Sequence, residues 1–328
     1  MAERNLIEAL NLALRQEMER DGDVLLMGED VGVDGGVFRL TDGLLDRFGA
    51  GRVMDTPLAE GAIAGMAIGL AVYGMRPVAE MQFSGFSYLA LAQMENHAAR
   101  LRWRSRGRFT VPMVLRMPYG GGVHALEHHS ESKEVFYAHI PGLKMVIPSG
   151  PRNGRALLLS AIRDPDPVVF FEPKRIYRAF REEVPDAEEV LPLGEARTAR
   201  NGDDITIVTY GAMLQPVLQA AGRLEQEDGV QAHVIDLQTI APLDIAPVAE
   251  SVRRCGRAVV VHEAHRSFGP GAEIVARLVE EAFWRLEAPV RRVTGYDVHI
   301  PYFAREEAYL PDAERVLAAA RETLNVEA

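Results

Sequence analysis

Glu60 is the first residue whose type and place suggest chemistry. It sits in Asp55-Thr56-Pro57-Leu58-Ala59-Glu60-Gly61, where a short apolar strand runs into a helix. That places a carboxyl group at the carboxyl end of a strand, where open parallel α/β sheets bind ligands. The same position also suits an ordinary first-turn acid favoured by the helix dipole. A second segment, Gly120-Gly121-Gly122-Val123-His124-Ala125-Leu126-Glu127-His128-His129-Ser130-Glu131-Ser132, gathers three glycines and three histidines in one loop after an apolar strand. Histidine exchanges protons near neutral pH, and loops on a rigid scaffold often carry function. His124, Glu127, His128 and His129 are also metal-ligand types, but their spacing is not that of a helical HExxH site. A third segment, Glu80-Met81-Gln82-Phe83-Ser84-Gly85-Phe86, leads from a strand end into aromatic residues. Such a ring can stack on a flat heterocycle or simply fill the core.

The elements that must position these residues alternate between strand and helix. Leu6, Leu10, Leu14 and Met18 recur at helical spacing. The runs 24–27, 52–54, 77–81, 112–117, 144–148 and 167–171 read as buried strands, with helices over 61–73, 88–102 and 151–163 between them. Unbroken apolar strands alternating with helices predict a parallel sheet covered on both faces. Gly61, Gly65 and Gly69 share one helix face and allow another helix to approach. Residues 181–194 carry two prolines and five acids without periodicity and read as a linker. A second series follows, with strands over 205–210, 232–236, 258–262 and 290–294 and helices over 214–226, 245–254, 272–284 and 313–324. The expected organisation is therefore α/β in two domains, 1–185 and 186–328.

Composition narrows the classes. The 328 residues carry 36 Lys+Arg against 47 Asp+Glu, a net charge of −11, which argues against a nucleic-acid surface. One cysteine, Cys255, permits no disulfide framework and no cysteine-rich zinc site. The most apolar run, 61–75, is short of the ~20 residues a membrane span needs. The N-terminal residues do not read as a secretory or transit segment, so a cytoplasmic location is expected. No phosphate-binding GxxxxGK[ST] loop, no dinucleotide fingerprint and no GxSxG elbow is present. Site loops without a phosphate-binding loop suggest part of a larger active site.

Taken together, 55–61, 76–86, 100–104, 120–132, 141–149, 167–178, 234–243 and 286–295 resemble, in order and over nearly the whole chain, the β subunits of thiamine-diphosphate-dependent 2-oxo acid dehydrogenases. The wording of 120–132 and of Tyr210-Gly211-Ala212-Met213 is closer to the bacterial pyruvate type than to the branched-chain type; an acetoin dehydrogenase β subunit is a further relative. The resemblance implies an N-terminal pyrimidine-binding domain and a C-terminal transketolase-type domain. It implies an α2β2 heterotetramer in which the α subunit holds the diphosphate and Mg²⁺. It also implies docking to a dihydrolipoyl acyltransferase core, whose lipoyl group accepts the acyl fragment, and neither nucleic acid nor membrane as a partner. An acidic chain suits a basic docking domain.

Residue by residue, the resemblance places Glu60 on the aminopyrimidine ring of thiamine diphosphate, where a protonated carboxyl can act in acid–base catalysis and burial would raise its pKa. Leu58, Gln82 and Phe86 match the lining and stacking positions of that pocket. His129 matches the active-site histidine, a proton donor or acceptor in transfer to lipoamide; His124 and His128 match less closely. A structural potassium would fall on Met113, Ala161, Ile162, Asp164 and Asp166, which from the sequence alone also read as a turn around 164–167. The rival readings are a non-catalytic scaffold subunit and a stand-alone histidine-loop metalloenzyme.

Overall fold

The spacing of Leu6, Leu10, Leu14 and Met18 produces the helix Leu6–Arg20 in the computed structural model, which describes residues 2–326. Asn5 caps it. Its Oδ1 accepts from the Glu8 N–H at 3.0 Å while Glu8 Oε2 accepts from the Asn5 N–H at 3.1 Å, a reciprocal capping box. The apolar face packs on the helix Pro151–Arg163. A Cβ on Gly154 would lie 2.5 Å from Leu6 Cδ1, so glycine sets that approach. Buried Glu17 joins the two helices through Arg163 at 2.5 Å and also pairs within its own helix with Arg20 at 2.7 Å.

The chain forms two units. The first runs up to Tyr119 and resumes over Phe136–Leu193; the second comprises Gly120–Val135 and the chain from Gly194 onward. The strands of the first unit lie in the order Lys144–Val146, Val168–Pro173, Val114–Tyr119, Arg76–Glu80, Val24–Gly28, Val53–Asp55, all parallel to their neighbours. The helix Glu60–Val72 meets the helix Tyr88–Gln93 along Gly61 and Gly65, whose Cβ positions would contact Leu89 and Gln93, as the glycine spacing suggests. Gly69 meets nothing within 4 Å. The helix expected over 88–102 is broken by a wide turn at Met94–Ala98 before Ala99–Arg104.

The second unit has a sheet ordered Arg291–Gly295, Ala258–His265, Ile205–Thr209, Ala232–Asp236, Arg197–Arg200. The first four strands are parallel and the last is antiparallel. Arg-Thr-Ala-Arg carries no apolar pattern because it is a partly exposed edge, so the sequence hides it. The segment read as a linker, 181–194, is fastened to the first unit instead. Glu182–Val184 pairs with Ala2–Arg4, Glu188 with Arg163, and Glu189 with Arg152, each ion pair at 2.7 Å. The acids that resemble a solvated linker are ion-pair partners. Among the described residues no helix is long and apolar enough to cross a membrane.

One buried charge cluster stands at the centre of the first sheet. Arg116 is paired with Glu80 on one neighbouring strand and with Glu172 on the other, the latter through Nε at 2.7 Å and Nη2 at 2.8 Å. Burial opposes its charge, but Glu172 and Glu80 together hold the guanidinium above its ordinary pKa. Arg116→Ala leaves two carboxylates buried without their cation and is expected to cost about 3–5 kcal/mol. The readout is the denaturant midpoint, and a midpoint equal to that of the parent would contradict a structural role for the cluster.

Candidate active site

Register places the chemistry of the first unit. Asp55, Gly28, Glu80 and Arg116 form one row across four parallel strands near their carboxyl ends. The loops leaving this row bring in the expected residues. Glu60 is the first residue of the helix Glu60–Val72 and only 9% exposed. Among the described residues no side chain forms a hydrogen bond or ion pair with its carboxyl group. Glu29, one residue beyond the strand Val24–Gly28, is also buried. Burial, then the neighbouring charges of Glu60 and Asp30, push its carboxyl above the ordinary range.

Asp55 fixes the same loop by accepting from the Gly32 N–H at 2.6 Å and the Val33 N–H at 3.0 Å. Gln82 donates from Nε2 to Asp30 Oδ2 at 2.8 Å. Glu60, Glu29, Asp30 and Gln82 are thus linked in one neighbourhood. Phe86 packs edge-on to Phe83 at 5.6 Å, and Phe83 packs the same way on Phe38. Both readings of these rings hold in part: they touch one another, yet Phe86 is only half-buried. Leu58 is 78% exposed. The sequence reading passed over Glu29. Its signal was an acid directly after a fully apolar strand, whereas Glu60 stood out at the start of the helix that follows a strand.

The histidine loop belongs to the second unit. His129 ends a short 3-10 turn, Glu127–His129, and is half-buried. His128 is exposed with Nε2 4.0 Å from Glu127 Oε1, and His124 Nδ1 lies 3.0 Å from the Phe303 carbonyl. Beside the loop opens a cleft of about 640 Å³ lined by Glu127, His128, Glu131, His299, Tyr302 and Arg305 among others. The histidines do not converge as metal ligands: among the described residues no group of three His, Cys, Asp or Glu side chains could hold a metal ion. Glu134, just past the loop, is fully buried and receives the Tyr210 hydroxyl at 3.2 Å. Burial above all, with the nearby charge of Glu263, pushes its carboxyl up to about 8. His262, stacked on Tyr210, is pushed down to about 3 by burial and is neutral in the folded protein.

The residues matched to a structural cation are already engaged. Arg76 Nη1 donates to the Ile162 carbonyl at 2.9 Å, and Lys144 Nζ meets Asp164 Oδ2 at 2.5 Å. Asp166 takes Arg102 Nε at 2.6 Å, while the Met113 and Ala161 carbonyls accept backbone N–H groups. The guanidinium on the Ile162 carbonyl and the ammonium on Asp164 place positive charge where the cation was expected, which opposes a potassium ion there.

The chain matches the model of the transketolase pyrimidine-binding domain over residues 2–179 and that of the transketolase C-terminal domain over 194–316. It is 48% identical over 321 residues to a protein of Acholeplasma laidlawii named pyruvate dehydrogenase E1 component subunit beta, covering 98% of each chain. It is 49% identical over 324 residues to the protein of the same name from Staphylococcus aureus, covering 99% of each. Among solved structures it is similar to a split-gene transketolase described as an inactive β4 tetramer, with TM-score 0.81, 23% identity and complete coverage of both chains. At that identity the likeness speaks for the fold.

Two outcomes follow from the buried groups. The carboxyl of Glu134 keeps its proton up to about pH 8 in the folded chain, whereas in the unfolded chain it loses it near the ordinary 4.5. The unfolded state therefore releases its proton first, and this group withdraws stability as pH rises from about 4.5 to about 8. Glu134→Gln should match the parent's melting temperature at pH 4 and exceed it increasingly toward pH 8; a constant offset would refute the shift. Replacing potassium by tetramethylammonium at equal ionic strength should leave the melting temperature unchanged, and a potassium-specific rise would show that the ion binds.

Proposed function

Because the chain belongs to the family of pyruvate dehydrogenase E1 component β subunits, built from transketolase pyrimidine-binding and C-terminal domains, we propose that Glu60 serves the pyrimidine ring of thiamine diphosphate and His129 serves acyl transfer. The chain is an oxidoreductase subunit that works with an α partner. When bound, thiamine diphosphate supplies a nucleophilic carbon and an electron sink for loss of CO₂ from a 2-oxo acid. Pyruvate is the 2-oxo acid of this reading, and lipoyl-lysine the acyl acceptor.

The observation that carries the reading is Glu60, a buried carboxyl beyond a strand's carboxyl end that no side chain among the described residues pairs with, and a second carboxyl, Glu29, beside it. Such a group is poised to exchange a hydrogen bond with a ring nitrogen. Gln82, held by Asp30, and the half-exposed ring of Phe86 would line and stack that ring, and Leu58, exposed on the same loop, would cover it. The diphosphate and Mg²⁺ are assigned to the α partner, as the likeness to E1 component β subunits implies.

His129 would hold or give a proton as the acyl fragment passes to a lipoyl domain. We assign the wider assembly to an α2β2 tetramer docked on a dihydrolipoyl acyltransferase core. The net charge of −11 suits a basic docking domain. The single cysteine, Cys255, is buried and free, which suits a reducing cytoplasm.

Co-expression with the α partner tests this. Glu60→Gln should lower decarboxylation by about 10²–10⁴-fold, the usual range for losing a general acid or base. Unchanged turnover would leave the chain a scaffold for its partner. Pyruvate should be preferred over 3-methyl-2-oxobutanoate, and the reverse preference would reassign the substrate.

A further inference from the structure

We propose that Glu263 and Glu306 are positioning residues that clasp the backbone of the Gly120–Ser132 loop and so fix where His129 is presented. The inference rests on the role assigned to His129 above. Both carboxylates are buried, and the loop takes one oxygen of Glu263 and both oxygens of Glu306. Glu263, near the end of the strand Ala258–His265, accepts from the Gly121 N–H at 2.5 Å and from Ser132 Oγ at 3.2 Å through the same Oε1. It therefore touches the loop at both ends. Glu306, opening the helix Glu306–Tyr309, accepts from the Gly122 N–H at 2.9 Å through Oε1 and from the His124 N–H at 2.7 Å through Oε2. The neck of the loop is closed by the Gly120 N–H donating to the Glu131 carbonyl at 3.0 Å.

The glycines are explained by this grip. A Cβ on Gly120 would lie 2.6 Å from Glu263 Oε1, and one on Gly121 would lie 2.8 Å from Glu306 Oε1. Gly120 and Gly122 also take left-handed φ values of 81° and 91°, and His124 follows at 54°. The three successive turns aim the N–H groups of Gly121, Gly122 and His124 toward the two carboxylates. Charged acceptors make the stronger hydrogen bonds to backbone N–H groups. The stretch 125–131, which carries His128 and His129, is then a short span between fixed ends. Its internal support includes the 3-10 turn in which the His129 N–H donates to the Leu126 carbonyl at 3.0 Å. Tyr309 packs close by and restates the fit: a Cβ on Gly295 would meet its hydroxyl at 2.5 Å and the Glu263 carbonyl at 2.5 Å.

The two carboxylates respond differently to replacement. The two loop bonds of Glu263 share Oε1, so glutamine can keep them. Glu306 uses both oxygens as acceptors, so glutamine must turn an NH₂ toward an N–H. In the α-complexed enzyme, Glu263→Ala and Glu306→Gln should lower reductive acylation of a lipoyl domain by about 10- to 100-fold, the effect of misplacing a reacting group by about 1 Å. Dye-coupled pyruvate decarboxylation should be largely retained, and amide hydrogen exchange over 121–132 should quicken. Glu263→Gln should restore both readouts relative to Glu263→Ala. If Glu306→Gln does not assemble, Gly121→Ala displaces the loop from the same carboxylate with the charge retained.

Exchange over 121–132 that stays at the parent's rate in Glu263→Ala and Glu306→Gln would overturn the clasp. So would acylation and decarboxylation falling in equal proportion. His129→Ala separates the two ideas. If it leaves acylation intact while the clasp variants still quicken exchange, the role of His129 fails and the holding of the loop stands.

Discussion

A single cation between two carboxylates organises the first unit. Arg116 is buried in the middle of three adjacent parallel strands and pairs with Glu80 on one side and Glu172 on the other. A buried charge is costly unless its partners are well placed, so the register of the three strands cannot slip without separating them. The same register aligns Asp55, Gly28 and Glu80 in one row and so determines where the following loops begin. Glu29, Glu60 and Gln82 each follow that row by one to five residues. The reactive neighbourhood is therefore a consequence of how strand ends are aligned, and the alignment is enforced by electrostatics as well as by apolar packing.

The second unit handles buried carboxylates by another route. Glu263 and Glu306 face backbone N–H groups, where Glu80 and Glu172 face a guanidinium. Glu134, close to Glu263, lies in surroundings that favour its protonated form. Hydrogen bonds from N–H groups and loss of charge are the two remaining ways to tolerate a buried acid. The difference matters for function. A guanidinium between strands secures the sheet, whereas carboxylates that grip N–H groups secure a loop, and only a loop can carry histidines to the edge of a cleft.

Much of the architecture was legible because its strands are buried on both faces. Val24–Gly28 is a continuous apolar run, and Ala232–Asp236 and Ile205–Thr209 are wholly buried and rich in β-branched residues. The helices Pro151–Arg163 and Ala313–Leu324 fell where periodicity put them. Edges were illegible. Arg197–Arg200 and Glu182–Val184 are polar strands recognisable only by what they pair with. The run of acids around Glu188 and Glu189 looked like a solvated linker until Arg163 and Arg152, distant in sequence, came to lie against it.

The sequence by itself determined the kinds of chemistry available: a carboxyl at a strand end in Glu60, a histidine-rich glycine loop around His129, and an acidic chain with one cysteine. These follow from residue type and local period, which need no knowledge of distant contacts. Only the tertiary structure decided which charges meet. It put Glu29 beside Glu60, set Arg76 and Lys144 on the oxygens expected to hold a cation, and brought Glu263 and Glu306 from 131 to 184 residues away onto the glycine loop. Coulomb and hydrogen-bond energies depend on separation in space over a few ångströms, and sequence distance carries almost none of that information.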